Sequence, residues 1–228
     1  MATPAGSGPF DAATRAALAE GAAAIAATGM VPGSAGNLSV RHGDRVLITP
    51  RGAKLGAIDP DHLVEIAADD GAVADDHTAP SAPSSESALH RSIYATCDAT
   101  AIVHTHSHFG TVLGTLVDEL PAVHYVVAQF GGPVRVARYE TFGTEELAAA
   151  VAEALRDRSA ALMRNHGAVV TAKTIEQAVD KAINLEWLAS VYYHAMVAGS
   201  PKLLTEADLE AVVDRARELR RELQGTPA

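Results

Sequence analysis

Three features that would each point to a class of protein are missing or scarce in this sequence. Cys97 is the only cysteine in the 228 residues, so an intrachain disulfide is excluded and a reducing cytoplasm is the expected compartment. No segment reaches the roughly 18 consecutive apolar residues of a membrane-spanning helix. The net charge of −10 comes without the clustered Lys and Arg of a nucleic-acid surface. We therefore expect a cytoplasmic protein that binds neither membranes nor nucleic acid.

Aromatic residues are also scarce, at 4% of the chain, while 48% of the residues are hydrophobic and 20% are charged. These proportions are ordinary for a globular protein, and the length suits one domain spanning residues 1–228. Few aromatic side chains imply thin packing layers, which favours an oligomer. The first residues do not resemble a secretory signal, because they lack a basic region followed by an unbroken apolar one. We expect flexible ends at residues 1–8 and 222–228.

Helix-like and strand-like patterns alternate along the chain. Helices are predicted in FDAATRAALAEGAAAIAATGM, SSESALHRSIYATC, GTEELAAAVAEALRD, TIEQAVDKAINLEWLASVYYHAMVAG and TEADLEAVVDRARELRREL. Their expected N-terminal caps include Asp11, Thr174 and either Ser84 or Ser85. Strands are predicted in NLSVR, in Val46–Thr49, in AIVHTH and on both sides of RNHG. The pattern predicts one sheet with helices on both faces, and a surface loop or hairpin of no assigned function at 68–80.

The stretch AIVHTHSHFG carries three histidines at alternate positions. On a strand, His104 and His106 point to the same side, so their imidazoles converge as two metal ligands would. His108 is either a further ligand or part of the next helix, and we favour the helix. His166, in RNHGAVV, follows a strand and precedes a glycine turn. Its side chain is either held as a structural histidine or directed into a cleft.

Glu86 lies in APSSESALH, at the start of a predicted helix. A carboxylate there is usually a helix cap, because it accepts the free N–H groups of the first turn. The serines before it and the amides of the same turn can instead form a cradle for an anion such as phosphate. The turns GSAGN and PRG offer further amides and small residues. Such turns beside a candidate metal pair favour a site for a phosphorylated substrate.

The segments GSAGNLSVR, LITPRG, APSSESALH, AIVHTHSHF, PAVHYVVAQFGG, YETFGTEELA and NHGAVV follow the order and spacing of a known family. From roughly Ala16 to Leu204 the sequence resembles the class II aldolase/adducin family, most closely its L-fuculose-1-phosphate aldolase branch. The resemblance implies a three-layer α/β/α sandwich with a central, largely antiparallel sheet. It also implies a C4 homotetramer with active sites at the subunit interfaces.

The same resemblance implies roles for individual residues. The metal would be Zn²⁺, with Mn²⁺ or Co²⁺ as possible replacements, and its ligands would be His104, His106 and His166. Glu86 would be the acid/base that also approaches the metal when no substrate is bound. Tyr125 would reach the active site of a neighbouring subunit and protonate the aldehyde oxygen. The phosphate pocket would be formed by Asn37, Gly52, Ser84 and Ser85, with Ser34 nearby.

Arg51 departs from the family pattern, which has a small hydroxyl residue at this place in TPTG. We expect Arg51 to take part in binding the phosphate or another anion, in a different manner from a hydroxyl group. The C-terminal segment RARELRREL has no tyrosine, whereas the fuculose enzyme closes its aldehyde pocket with one there. These two departures leave the identity of the aldehyde product undecided.

These residues fit the reversible cleavage of the C3–C4 bond of a ketose 1-phosphate. Cleavage leaves an enediolate, and three neutral histidines would leave Zn²⁺ its full charge to stabilise that anion. In the synthetic direction Glu86 would remove the C3 hydrogen of dihydroxyacetone phosphate, a task that favours a raised carboxylate pKa. A Schiff-base lysine is not expected, because no lysine lies in an apolar strand. The lysines are Lys54, Lys173, Lys181 and Lys202.

The expected substrate is L-fuculose 1-phosphate or a 5-deoxypentulose 1-phosphate, and the products are dihydroxyacetone phosphate and a small aldehyde. Alternatives in the same family are a pentulose-phosphate epimerase, a dehydratase and a sugar-acid phosphate decarboxylase. The epimerase branch has Asp where this chain has Glu86. A non-catalytic adducin-like module is least expected, because it would have no need for the three histidines together with Glu86.

Overall fold

A sheet of eight strands forms the centre of the computed structural model, which describes residues 10–74, 81–223 and 225. The strands are β1 (Asn37–His42), β2 (Arg45–Ile48), β3 (Val64–Ala67), β4 (Ala101–Thr105), β5 (Glu119–Leu120), β6 (Val134–Ala137), β7 (Ala160–Met163) and β8 (Gly167–Ala172). Their order across the sheet is β3-β2-β1-β4-β8-β7-β6-β5. Neighbouring strands are antiparallel except for the parallel pair β6 and β7. The sheet is largely antiparallel, as predicted.

Helices cover both faces of this sheet. They are α1 (Ala12–Ala27), α2 (Ser87–Thr96), α3 (His108–Leu116), α4 (Glu145–Ala154), α5 (Ile175–Ala198) and α6 (Glu206–Leu223), with short 3-10 helices at Leu55–Ala57, Pro60–His62 and Tyr125–Phe130. One face packs against α1, α3 and α5, and the other packs against α2 and α4. The predicted three-layer α/β/α sandwich is confirmed.

Strand β4 lies near the middle of the sheet, between β1 and β8, and all of its residues are buried. Its side chains alternate between the two cores: Val103 packs on the side of α5, whereas Ile102 packs on the side of α2. Each such buried aliphatic side chain contributes about 1.5–3 kcal/mol of burial free energy. By the same alternation His104 faces the α2 layer. The strand that carries this histidine is therefore anchored on both faces.

The structure confirms two of the N-terminal helix caps that the sequence predicts. Asp11 and Thr174 each accept a backbone N–H in the first turn of α1 and α5, as predicted. The predicted cap of α2 was wrong, because neither Ser84 nor Ser85 occupies the N-cap position. Glu86 occupies it, and its side chain makes no capping hydrogen bond. Its carboxylate is therefore available for another role.

Two further local predictions concern His108 and the polar segment 68–80. His108 is the first residue of α3, which confirms the helical interpretation. Residues 68–74 turn back on β3, and the Ala67 N–H donates to the Ala72 carbonyl at 2.8 Å. This part of the segment is a hairpin, whereas residues 75–80 lie outside the described residues.

The ends of the chain that were expected to be flexible are described only in part. Residues 1–8 lie outside the described residues. At the other end, Glu222 and Leu223 belong to α6 and Gly225 lies in a turn, while 224 and 226–228 are outside the described residues. Within the described ranges, no helix is both long and apolar enough to cross a membrane.

Candidate active site

Three histidines from neighbouring strands meet at one end of the sheet. His104 is part of β4 and His106 follows the end of that strand, whereas His166 lies in the turn between β7 and β8. Strands β4 and β8 are paired as far as Thr105 and Ala168, which brings the two segments side by side. The centroids of the three imidazole rings are 4.8 to 5.0 Å apart. Strand pairing thus brings the predicted histidines together.

The turn that carries His166 has a restricted backbone. Asn165 has a φ of 54°, in the left-handed region that residues other than glycine seldom adopt. Gly167 approaches β4 so closely that a Cβ atom would overlap the carbonyl oxygen of Thr105 and lie 3.2 Å from the Cα atom of His106. The glycine in NHG therefore permits the close approach that sets His166 beside His106.

Glu86 joins the histidines from the start of α2. The residue is 5% exposed. Its Oε2 atom is 3.2 Å from Nε2 of His104, and its Oε1 atom is 3.4 Å from Nε2 of His166. One potential ligand atom from each of Glu86, His104, His106 and His166 lies within 4.8 Å of all the others. These four side chains form the metal-capable cluster.

The free lone pairs of this cluster fit a metal ion. His104 Nδ1 lies 2.9 Å from the carbonyl oxygen of Ala168, which can only accept, so Nδ1 carries the proton and Nε2 presents a lone pair. His104 Nε2 and Glu86 Oε1 are buried without a hydrogen-bond partner in the part of the chain that the structure describes. Ligand atoms around a tetrahedral zinc ion lie about 3.3–3.4 Å apart when the bonds are about 2.0–2.1 Å long. The Glu86 distances of 3.2 and 3.4 Å are close to that spacing.

Burial and mutual contact set the pKa values in the cluster. Burial lowers the pKa of His106 and that of His166 to about 4, so both are neutral at pH 7, as metal ligands must be. Burial also lowers the pKa of His104, but the Glu86 carboxylate and the Ala168 carbonyl together bring it above its ordinary value. Burial raises the pKa of Glu86, while His104, Asn37 and His166 together bring it below its ordinary value. The expectation of a raised Glu86 pKa was therefore wrong, because the neighbouring groups outweigh burial.

A cavity of about 350 Å³ opens beside the cluster. Glu86, His106 and His166 form part of its wall. The wall also contains most of the residues predicted to bind phosphate, namely Ser34, Asn37, Gly52, Ser84 and Ser85. The cavity lies at the start of α2, where free N–H groups and the helix dipole favour an anion. Groups that can donate hydrogen bonds to an anion and the metal-capable cluster thus surround one space.

Three of the predicted site residues are placed differently. Asn37 lines the cavity, but its amide is already engaged: Nδ2 donates to Glu86 Oε2 at 2.8 Å, and Oδ1 lies 2.5 Å from Nε2 of His90. Arg51 is exposed and does not belong to the cavity wall. Tyr125 is 55% exposed and does not line the cavity of its own chain. The predicted roles of these three residues stay predictions.

Further residues of the wall were not predicted from the sequence. They include Gly36, Tyr139, Glu140, Phe142 and Asn165. Tyr139 and Phe142 are 59% and 67% exposed, so aromatic surface extends from the cavity wall to solvent. The only signal for them was the segment YETFG, which has no helical or strand periodicity. His90 was also missed, because it looked like an ordinary residue of an amphipathic helix.

Comparison with known proteins gives this arrangement a family. The sequence profile described as Class II Aldolase and Adducin N-terminal domain matches residues 16–193. The chain belongs to the class II aldolase and adducin family. This family member is 37% identical over 205 residues to a 5-methylthioribulose-1-phosphate/5-deoxyribulose-1-phosphate aldolase of Rhodospirillum rubrum, which covers 89% of this chain and 90% of the relative. The resemblance identified from the sequence is confirmed.

Two more relatives of the class II aldolase family agree with this assignment. The chain is 36% identical over 190 residues to the L-fuculose phosphate aldolase of Escherichia coli K12, covering 82% of this chain and 86% of the relative. A solved structure of an L-fuculose 1-phosphate aldolase superposes with a TM-score of 0.86 at 32% identity, covering 91% of this chain and 98% of that chain. The chain is therefore an enzyme of the class II aldolase family, with a cluster able to hold a divalent metal ion.

Proposed function

We propose that this class II aldolase is zinc-dependent and reversibly cleaves a ketose 1-phosphate to dihydroxyacetone phosphate and a small aldehyde. The observation that carries the proposal is the position of Glu86. Its carboxylate lies 3.2 Å from His104 and 3.4 Å from His166, in the wall of the cavity. A proton-transferring group at this point faces both the metal ligands and the space for a substrate. The named relatives make 5-deoxyribulose 1-phosphate and L-fuculose 1-phosphate the first candidate substrates.

The phosphate end of the substrate is proposed to lie against the hydroxyl-rich side of the cavity. Ser84 and Ser85 directly precede α2, and Ser34 and Gly52 belong to turns on the same wall. Hydroxyl groups and backbone N–H groups donate to phosphate oxygens, and the start of a helix adds a favourable dipole. Arg51, which directly precedes Gly52, is proposed as a further contact of the phosphate, because its guanidinium group can bind two phosphate oxygens at once.

His104, His106 and His166 are proposed to hold the zinc ion, with Glu86 as a fourth ligand when no substrate is bound. A bound zinc ion supplies Lewis-acid stabilisation of the negative charge that develops on the substrate. The chain contributes the geometry. The Ala168 carbonyl fixes the His104 tautomer, and the close approach of Gly167 to β4 fixes the spacing between His106 and His166.

The proton transfers are simplest to follow in the synthetic direction. The lowered pKa keeps Glu86 ionised, so its carboxylate can remove a proton from C3 of dihydroxyacetone phosphate. The resulting enediolate carbon attacks the aldehyde carbon, and the C3–C4 bond forms as the aldehyde oxygen takes a proton. Tyr125 of the partner subunit is proposed to supply that proton. Cleavage is the same sequence in reverse, with the phenolate taking the proton of the C4 hydroxyl.

This role of Tyr125 requires an assembly, which we propose to be a homotetramer with active sites at its subunit interfaces. Tyr125 is 55% exposed and lies outside the cavity of its own chain, so it is free to enter the site of a neighbour. The compartment that suits a chain with a single cysteine is the cytoplasm.

The proposal is tested by cleavage of a panel of ketose 1-phosphates by the zinc-loaded protein. The panel contains L-fuculose 1-phosphate, 5-deoxyribulose 1-phosphate and 5-methylthioribulose 1-phosphate, and released dihydroxyacetone phosphate is coupled to NADH oxidation. We expect release that EDTA abolishes and zinc restores. Absence of release from every member, with zinc bound, would refute the aldolase proposal and favour epimerase, dehydratase or decarboxylase chemistry, none of which releases dihydroxyacetone phosphate from a ketose 1-phosphate.

The role of Glu86 has its own test. Glu86→Gln keeps the size of the side chain but removes the base, so exchange of the C3 proton of dihydroxyacetone phosphate with deuterated water should be lost while zinc is retained. Glu153→Gln, on the exposed surface of α4, is the matched control and should exchange normally. A Gln variant of Glu86 that holds full zinc and still exchanges would remove Glu86 from the mechanism.

A further inference from the structure

A chain of buried polar side chains leads away from Glu86 between α2 and β1. Glu86, His90 and Tyr94 are four residues apart along one face of the helix, while Asn37 and Ser39 are two apart on one face of the strand. Side chains of the helix and of the strand alternate along a chain of hydrogen-bonding contacts. Asn37 Nδ2 lies 2.8 Å from Glu86 Oε2, and Asn37 Oδ1 lies 2.5 Å from His90 Nε2. Ser39 Oγ lies 2.6 Å from His90 Nδ1 and 2.8 Å from Tyr94 Oη.

The donors in this chain can be assigned from the carboxylate outward. An ionised carboxylate only accepts, so the Asn37 group facing Glu86 is the NH₂ group and its carbonyl oxygen faces His90. That oxygen also only accepts, so Nε2 of His90 carries the ring proton. Nδ1 of His90 is then a lone pair, and the Ser39 hydroxyl donates to it. The Tyr94 hydroxyl ends the chain, with the hydroxyl oxygen of Ser39 at 2.8 Å and the carbonyl oxygen of Ser39 at 3.1 Å as its two acceptors.

The donors of Ser39, His90 and Asn37 therefore all point toward Glu86, and only one of its oxygens receives the hydrogen bond. Oε2 accepts from Asn37, whereas Oε1 is buried without a hydrogen-bond partner among the residues that the structure describes. We propose that His90 is a positioning residue that acts through Asn37 to hold Oε2 as the anchored oxygen of Glu86 and to leave Oε1 as the atom that takes the substrate proton. The inference rests on the proposed function, because it presumes that Glu86 transfers the proton at C3.

Histidine supplies the two hydrogen-bonding groups that this position requires. His90 is fully buried, and both of its ring nitrogens are used in hydrogen bonds. Burial lowers its pKa to about 3, so the ring is neutral at pH 7 and keeps a single donor. An imidazole ring with one fixed tautomer has a donor and an acceptor on opposite sides, which is what the contacts to Asn37 and Ser39 require.

Two amide variants separate the contacts of His90. In His90→Gln the amide nitrogen reaches the place of ring Nε2 and can still donate to Asn37. In His90→Asn the shorter amide reaches only the place of Nδ1, so the contact to Ser39 is kept and the donor to Asn37 is lost. We expect His90→Asn to slow C3 proton exchange about 10–100-fold, the range seen when a partner of a site residue is removed. Its zinc content and its KM for dihydroxyacetone phosphate should stay unchanged, and His90→Gln should recover most of the rate.

The tautomer itself gives a readout that does not depend on activity. In protein labelled with ¹⁵N-histidine, NMR at pH 7 should show His90 protonated at Nε2 with slow exchange of that proton, and Glu86→Gln should change its chemical shift. A proton on Nδ1 would overturn the assignment of donors. An active wild-type protein with an equally active His90→Asn variant would overturn the positioning role alone. A wild-type protein without C3 exchange would instead refute the proposed function.

Discussion

Gly167→Ala is expected to separate β4 from β8 and so to weaken metal binding at the end of the sheet. A Cβ atom at Gly167 would overlap the carbonyl oxygen of Thr105, and would lie 3.1 Å from the carbonyl carbon of Thr105 and 3.2 Å from the Cα atom of His106. All of these neighbours are backbone atoms, which a side-chain rotation cannot move away. The strain must therefore be relieved by shifting the turn that carries His166.

The magnitude follows from the size of this overlap. Restoring an ordinary contact requires a shift of about 1 Å, and a displacement of this size at reacting groups can lower a rate about 100-fold. The insertion of one methyl group into a tightly packed site costs about 1–3 kcal/mol of unfolding free energy. Since His166 lies next to Gly167, we expect zinc affinity to fall about 10–100-fold, as for the loss of an orienting contact.

Zinc affinity is measured by competition with a chromogenic chelator, and the unfolding free energy by urea titration of the metal-free protein. Gly199→Ala is the control: the residue follows α5, and a Cβ atom there would have no neighbour within 4 Å. It should change the unfolding free energy by less than about 0.5 kcal/mol. If Gly167→Ala binds zinc as tightly as the wild type and unfolds at the same urea concentration, the close approach of the turn to β4 does not shape the site.

Three further predictions address the surroundings of the site. Glu186→Ala should lower the free energy of unfolding, measured by urea titration, by about 0.5–2 kcal/mol. The reason is that the Glu186 carboxylate accepts hydrogen bonds from the N–H groups of Phe109 and Gly110 at 2.8 and 2.9 Å and so caps α3. Equal stability of variant and wild type would contradict this. Adding zinc to the metal-free protein should raise Tm, since a ligand of the folded state adds about 4 kcal/mol at 1,000 times its Kd; a Tm unaffected by zinc would argue against the site. The pKa of His90 is lowered by burial to about 3, so the folded state resists a proton that the unfolded state takes up below about pH 6.5. Its contribution to stability is therefore complete above pH 6.5 and is lost as the pH falls. The decline in unfolding free energy between pH 7 and pH 5 should be about 2 kcal/mol larger in wild type than in His90→Gln, in which only the other histidines contribute, as urea titrations at the two pH values would show.

The long helices were predictable because their signals are local. Asp11 and Thr174 cap their own first turns, and the apolar spacing of the following residues continues for several turns. Helix α3 was missed except for its first residue. Its N-cap, Ser107, makes no capping hydrogen bond, and the N–H groups of its first turn are instead satisfied by Glu186 of α5. A partner so distant in the sequence leaves no trace in the residues around the helix start.

The strands likewise differ in whether their own residues carry a local signal. β1, β2 and β4 carry runs of alternating or apolar residues, whereas β5 has only two residues and pairs with β6. Such a short strand has no period of its own, because its place is fixed only by the neighbour that it pairs with. Sequence patterns therefore predicted the middle of the sheet, where the site lies, better than its β5 edge.

The four residues of the metal-capable cluster were predicted, but not their surroundings. The alternation of His104 and His106 is a local signal, while the inclusion of Glu86 and His166 rested on the resemblance to a family. His90 gave no such signal. Its contacts become visible only when the register between α2 and β1 is known, because a helix repeats every 3.6 residues and a strand every two.

The architecture separates the parts of the site that must be rigid from those that can vary. His104 lies in strand β4, which is held between two other strands and packed on both faces, and His106 follows the end of that strand. Glu86, at the start of α2, is held by a hydrogen bond from Asn37 of β1. Strand spacing of about 4.8 Å and buried side chains leave these positions little freedom. Tyr139 and Phe142, by contrast, border the same cavity from an exposed loop. Under the proposed function, changes at these two residues should alter which aldehyde is accepted without disturbing the metal-capable cluster.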